Sequence, residues 1–204
     1  MADNIADLGT EERWEMRPNW RDSNQVQLVG SRDIVAFPST ITDIFIYSPL
    51  HHNIISLKFT CENKGIEYAL TNFYNNRKGR LERFWLQGYR EEFILSKDIS
   101  ITNTIIYVED NGFDLVYQGY ERIYLELSSG DLITRKITNV AKVGTELLLT
   151  VSAMDRNILM TEVKIFGRIY LVRFNKDILN MSFKTTKISE CSLEFLEVVK
   201  EYDL

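Results

Sequence analysis

The stretch YERIYLELSSGDLITRKITNV, residues 120–140, decides the fold class. From Tyr120 to Leu127 apolar and polar residues alternate, so Ile123, Leu125 and Leu127 fall on one face of an extended chain, the period-two signature of a half-buried strand. Ser128-Ser129-Gly130-Asp131 supplies the small and polar residues of a reversal, and Leu132 to Val140 resumes as a β-branched run. Strand, turn and strand in succession predict an antiparallel pair.

The same pattern extends in both directions. Upstream lie Ile34-Val35-Ala36-Phe37, Ile44-Phe45-Ile46-Tyr47, and Ile54 to Thr60 with Ile55, Leu57 and Phe59 alternating; Pro38 and Pro49 close such runs, where a missing amide donor does no damage. Phe84-Trp85-Leu86, Phe93-Ile94-Leu95 and Ile105-Ile106-Tyr107-Val108 read as short strands, the last closed by a hairpin-type signal at Asp110-Asn111-Gly112. Downstream, Glu146 to Val151, Ile165 to Phe174, Ile178 to Phe183 and Cys191 to Val199 continue the series. The last reads as a bulged strand because its alternation slips between Phe195 and Leu196, with a C-terminal helix as the alternative. One segment departs from this period: Ile66, Leu70, Phe73 and Tyr74 recur at helical spacing, and Gly65 and Gly79 stand just outside, predicting a helix over 66–78. The expected fold is mainly β, an antiparallel barrel or sandwich with this one main α-helix. Residues 1–30 are expected to form an N-terminal docking arm, polar but carrying Trp14 and Trp20, which docks on its own domain or, as the alternative, on a neighbouring subunit. Residues 31–204 form a β-rich domain with room for two packed subdomains dividing near 96–103.

Composition bounds the function. The 204 residues are 45% hydrophobic and 26% charged, ordinary values for a soluble globular chain that needs neither disulfides nor a metal to fold. No apolar run approaches the ~20 residues of a membrane-spanning helix. Met1 to Asp7 carries two acids and lacks the basic and apolar regions of a secretory signal, so synthesis in a cytoplasm is expected. A net charge of −5 argues against general nucleic-acid binding, which needs a local excess of cations. The one basic cluster, Arg77-Lys78-Gly79-Arg80 with Arg83, reads as a solvated helix end whose cations complement the helix dipole.

Chemistry is hard to place. His51 and His52 are the only two histidines; they are adjacent and have no acid or thiol within a few residues to complete a metal shell. Cys61 and Cys191 stand far apart, outside any Cys-x-x-Cys pair, and read as small strand residues. The ten glycines never form a phosphate-binding loop. Glu91-Glu92 and Glu109-Asp110 read as solvated turns. Aromatic residues, 12% of the chain, occur in strand-like runs, which favours core packing over a carbohydrate- or base-stacking platform. No catalytic residue, cofactor or metal ligand is expected.

Gly79-Arg80, followed by Phe84-Trp85-Leu86 and Glu92-Phe93, resembles the Gly-Arg and Phe-Trp-Leu signature that bacteriophage tail proteins of the distal tail and baseplate hub type, including gene-transfer-agent relatives, place between a helix and the next strand. Trp14 with Pro18-Asn19-Trp20 adds to the likeness. Relatives commonly follow Phe-Trp-Leu with proline, whereas this chain has Gln87-Gly88. The resemblance implies a virion structural protein with no enzymatic activity. It would be a ring-shaped homo-oligomer in the tail, partnered by tail-tube and hub proteins, with Trp14, Trp20, Trp85 and Tyr89 as candidate interface residues. The alternative is a receptor- or carbohydrate-binding β module without catalytic activity.

Overall fold

A computed structural model of the chain describes residues 12–19, 24–29, 32–36, 42–46 and 52–198, with backbone alone for 28, 29, 32–36, 42–46 and 52. The strands are β1 (Gln25–Val29), β2 (Arg32–Ala36), β3 (Thr42–Ile46), β4 (His52–Cys61), β5 (Phe84–Gln87), β6 (Ile105–Glu109), β7 (Arg122–Leu127), β8 (Leu132–Val143), β9 (Glu146–Val151), β10 (Val163–Phe174), β11 (Met181–Phe183) and β12 (Ser189–Glu197); α1 (Lys64–Asn76) is the one α-helix among the described residues. Hydrogen bonding follows the order β1-β4-β12-β10-β7-β8-β9-β6, with β11 on β12 and β5 on β10. Among the described residues the path has two ends and does not close into a barrel; β2 and β3 pair with each other. The fold is mainly β, as the alternation predicts. Among the described residues no helix is long and apolar enough to cross a membrane.

The chain forms two compact units, whose crossings lie at 15/16, 83/84 and 170/171, in contrast to the single division near 96–103 read from sequence. Among described residues, the first unit comprises 12–15 and Phe84–Tyr170. It is built on the hairpin that opens the sequence: Arg122 to Glu126 pair with Lys136 to Leu132, and the reversal closes with Leu127 N–H donating to the Asp131 carbonyl at 2.9 Å. β8 is long because it changes partner. Its first half pairs with β7 and its second with β9, and an irregularity in register between Ile137 and Asn139 marks the change, the device by which strands turn a sandwich corner. Ile123, Leu125 and Leu127 all enter the core, with Ile106, Val108, Ile133, Leu147, Leu149 and Phe166.

Two short segments of this unit differ from their sequence reading. Phe93-Ile94-Leu95 is no strand; it makes one bridge, Leu95 to Val108, while Phe93 N–H donates to the Phe166 carbonyl. Asp110-Asn111-Gly112 closes no hairpin, since β6 pairs with the distant β9. The Asp110 and Asn111 side chains instead accept from Gly112 and Phe113 N–H, starting a 3-10 turn that seats Phe113 5.1 Å from the Phe93 ring.

The second unit comprises, among described residues, 16–83 and 171–198. β12 lies directly opposite β4, with Ile55 facing Phe195, Leu57 facing Leu193 and Phe59 facing Cys191. Phe174 packs on Phe195 at 5.5 Å, and α1 closes this aromatic face with Leu70 and with Tyr74, whose ring lies 4.7 Å from Phe174. The helix begins earlier than 66 because Asn63 caps it, its side chain accepting from Ile66 N–H at 3.0 Å; Gly65 therefore lies inside. It ends at Asn76 because Lys78 and Gly79 take left-handed backbone, φ 50° and 60°. Burial alternates without a slip through the whole of β12. What breaks the sequence pattern is Glu197, 2% exposed at an inward position, which accepts from the Asn53 backbone N–H at 3.2 Å and its side-chain amide at 2.6 Å.

Candidate functional site

Trp14, Trp85 and Tyr89 are brought together in the first unit, but inside it. Arg13 forms a parallel bridge with Trp85, Trp14 N–H donates to the Trp85 carbonyl at 2.8 Å, and Trp85 N–H donates to the Glu12 carbonyl at 2.9 Å. The Tyr89 hydroxyl donates to the Trp14 carbonyl at 3.3 Å, the Trp14 and Phe84 rings lie 6.1 Å apart, and the Arg122 guanidinium lies 5.3 Å from the Trp85 ring. The three side chains are 1%, 3% and 7% exposed. This corrects their reading as candidate interface residues: side chains covered by their own chain offer no surface to a partner or a sugar. Trp20 lies outside the described residues, as do His51 and the side chain of His52.

The segment behind the Phe-Trp-Leu signature is a lock between one loop and β10. Phe84, Trp85 and Leu86 are all buried, so β5 is covered on both faces. Gly88 N–H donates to the Arg168 carbonyl at 2.9 Å, and a Cβ there would meet that same oxygen at 2.9 Å. At Gly167 a Cβ would lie 2.4 Å from the Arg90 carbonyl oxygen. Glu92 accepts from Arg168 Nε at 2.5 Å and from the Tyr170 hydroxyl at 3.2 Å, while its own N–H donates to the Phe166 carbonyl. The glycines allow two backbones to touch, and the ion pair orients them. These groups hold the loop, and their polar atoms are occupied in doing so.

The second unit holds an open cleft of about 700 Å³ at the end of α1. Lys78, Arg80 and Arg173 line it, against the single carboxylate of Asp177. Asp177 accepts from Arg80 N–H at 2.9 Å, and the Tyr74 hydroxyl donates to the Lys176 carbonyl at 2.9 Å. Burial, with the Asp177 carboxylate second, raises the Tyr74 phenol above its ordinary range, so it stays a neutral donor at neutral pH. The sequence showed the cluster Arg77 to Arg80 but could not show Arg173, ninety-odd residues downstream, on the same cleft. Both cysteines are buried free thiols in strands; burial pushes Cys191 up to about 12 and raises Cys61 as well, which leaves neither a thiolate nucleophile near neutral pH. Among the described residues no three His, Cys, Asp or Glu side chains gather as a metal site.

The arrangement therefore offers packing in one unit and a cationic recess in the other. Compared with known proteins, the chain matches no protein-family model and no curated protein.

Proposed function

We propose that this chain is a non-catalytic structural subunit of a bacteriophage tail, forming a ring near the distal tail or hub and contacting tail-tube and tip proteins in the virion after synthesis in the host cytoplasm. The observation that carries the assembling role is the contrast between the two ends of the sheet path. At β6 the outer side is covered: Ser96 N–H donates to the Tyr107 carbonyl, Glu109 N–H donates to the Ile94 carbonyl, and Leu95 bridges Val108. At β1 no further strand is paired among the described residues. Its sequence, Gln25-Val26-Gln27-Leu28-Val29, contains neither a charge nor a proline, and Val26 is 49% exposed. Isolated proteins normally guard such edges with Lys, Pro or a bulge, because an open edge is a template for pairing with another chain. A subunit that adds its edge to a neighbour has no need of the guard. Placement in a phage tail rests on the Gly79 to Phe93 resemblance.

Deleting Met1 to Gly30 would not test this cleanly, because Trp14 belongs to a core and Gln25–Val29 to a sheet. Val26→Lys is cleaner, placing a charge on an exposed position of the edge strand. Light scattering and electron microscopy of the purified protein, alone and mixed with tail-tube or hub proteins of the same phage, should show a closed ring that the variant fails to form. The variant's unfolding free energy should stay within about 0.5 kcal/mol of the parent, as for surface changes in general. A parent that stays monomeric in every mixture, or a variant that assembles as well as the parent, refutes the proposal.

A further inference from the structure

A ring of more than two copies uses two different surfaces on each subunit, and β1 supplies only one of them. A second open edge lies within β8. Its first half pairs with β7 as far as Lys136, opposite Arg122, and one further bond, from Ile137 N–H to the Glu121 carbonyl, ends that side. Residues 139–143 pair with β9 alone among the described residues. Thr138, Asn139, Lys142 and Val143 are exposed, and Val140 and Ala141 are half-buried.

The backbone groups of both edges have a definite direction, because in an antiparallel ladder each residue turns its N–H and C=O to one side and successive residues alternate. On β6, Tyr107 and Glu109 bond outward to Ser96 and Ile94, so Ile106 and Val108 exchange bonds with Leu149 and Leu147. Those two leucines have no backbone groups left for β8. Their partners there, Val140 and Lys142, therefore direct N–H and C=O away from β9. On β4, Asn53 N–H donates to Glu197 of β12, so Asn53 and Ile55 face that strand, and their partners Leu28 and Val26 direct theirs away from β4. Each edge thus offers two outward residues, spaced two apart.

We propose that β1 of one copy pairs antiparallel with residues 139–143 of a second copy, Val26 opposite Lys142 and Leu28 opposite Val140. Both are hydrogen-bonded pairs, so about four backbone bonds join the copies, and in this register the two segments match end to end, Gln25 with Val143 and Val29 with Asn139. β1 has no charge, and Lys142, the one charge on the β8 segment, is already paired with Asp110, so the contact brings in no unpaired charge. The pairing spends one edge of each copy and leaves the other for the next, whereas β1 on β1 would stop at a dimer. This rests on the ring reading and supplies its second surface.

The parent, Val26→Lys and Lys142→Pro are compared by light scattering and analytical ultracentrifugation, singly and mixed. Proline at 142 removes an outward N–H and no bond within the chain, as edge strands tolerate. Lys142→Ala loses the same ion pair but keeps the N–H, and should assemble as the parent does. Each blocked variant should stay monomeric alone, while an equal mixture of the two should give dimers and nothing larger, since each retains the edge that the other lacks. If Lys142→Pro fails to fold, Asn139→Lys, at an exposed position of the same segment, takes its place. A folded β8 variant that assembles as the parent does, or that dimerises alone through β1, overturns the contact; so does a mixture without dimers, or a Lys142→Ala that fails to assemble. A parent that assembles only when tail-tube or hub protein is added also overturns it and leaves the assembling role standing, whereas a parent monomeric in every mixture refutes both.

Discussion

The two units differ in where their polar residues are placed. In the first, charged and hydroxyl groups are turned inward onto partners: Glu92 onto Arg168 and Tyr170, Arg135 onto the Thr134 and Ala153 carbonyls, Glu121 onto Gln118 and Tyr120 N–H. In the second, an aromatic and aliphatic core under one helix leaves cations on a cleft and an uncharged strand at an edge. Buried polar groups with matched partners define one loop path, because any other path strands a desolvated charge. The open side of β1 pairs with nothing among the described residues, and on the proposed function is where a neighbour acts. On the proposed function the first unit serves as framework, and the second, through β1, meets a neighbouring subunit.

The comparison breaks most decisively at Trp14. If the ring is framework, Trp14→Ala should cost about 3–5 kcal/mol, as large aromatic deletions in cores do, seen as a large drop in the denaturation midpoint. A loss of assembly with stability intact would instead return Trp14 to an interface. Gly167→Ala comes next. Its methyl would press on the Arg90 carbonyl, a backbone atom that cannot rotate away, so a loss of about 2–3 kcal/mol is expected by chemical denaturation. A near-neutral result would mean that the loop and β10 do not touch as described.

Two further measurements sharpen the second unit. The raised Cys191 thiol stays protonated in the folded chain while an unfolded chain ionises from about 9; stability should therefore be full below that pH and fall as pH rises toward about 12. Cys191→Val should flatten this decline in urea midpoints above pH 9, and the parent should resist alkylation at pH 8 until unfolded. Rapid alkylation of the native chain would contradict a dry strand interior. The smallest effect is at the helix start: Asn63→Ala removes the bond to Ile66 N–H and should cost about 1 kcal/mol, measurable as a modest shift in melting temperature.

Sequence reading succeeded where neighbours along the chain settle the outcome. The alternation of Ile123, Leu125 and Leu127 needs only the pleat to place all three on one face, and Gly130 needs only its own backbone, φ 89°, to make the reversal. It failed where a distant partner decides. The alternation looked slipped between Phe195 and Leu196 because the next inward position, Glu197, holds an acid that is costly to bury alone, yet Asn53 supplies its hydrogen bonds across the sheet. Phe93 to Leu95 has strand composition, but Phe93 N–H goes to the Phe166 carbonyl and leaves one bridge to β6. At the candidate site, the strand-like runs favoured core packing for the aromatics, and Trp85 and Tyr89 are buried; what nothing local could report is that the Trp14 carbonyl would meet Tyr89 and the Arg122 guanidinium would meet Trp85.

From the amino-acid order alone follow the β character, the helix α1 and the reversal at Gly130, because each depends on side-chain period and on backbone preferences acting within a few residues. Tertiary structure alone decided which distant side chains come together. Glu92 meets Arg168 seventy-six residues away, and Arg173 lines the same cleft as Arg80. Burial and electrostatic environment are properties of that assembled neighbourhood, and no residue carries them by its identity.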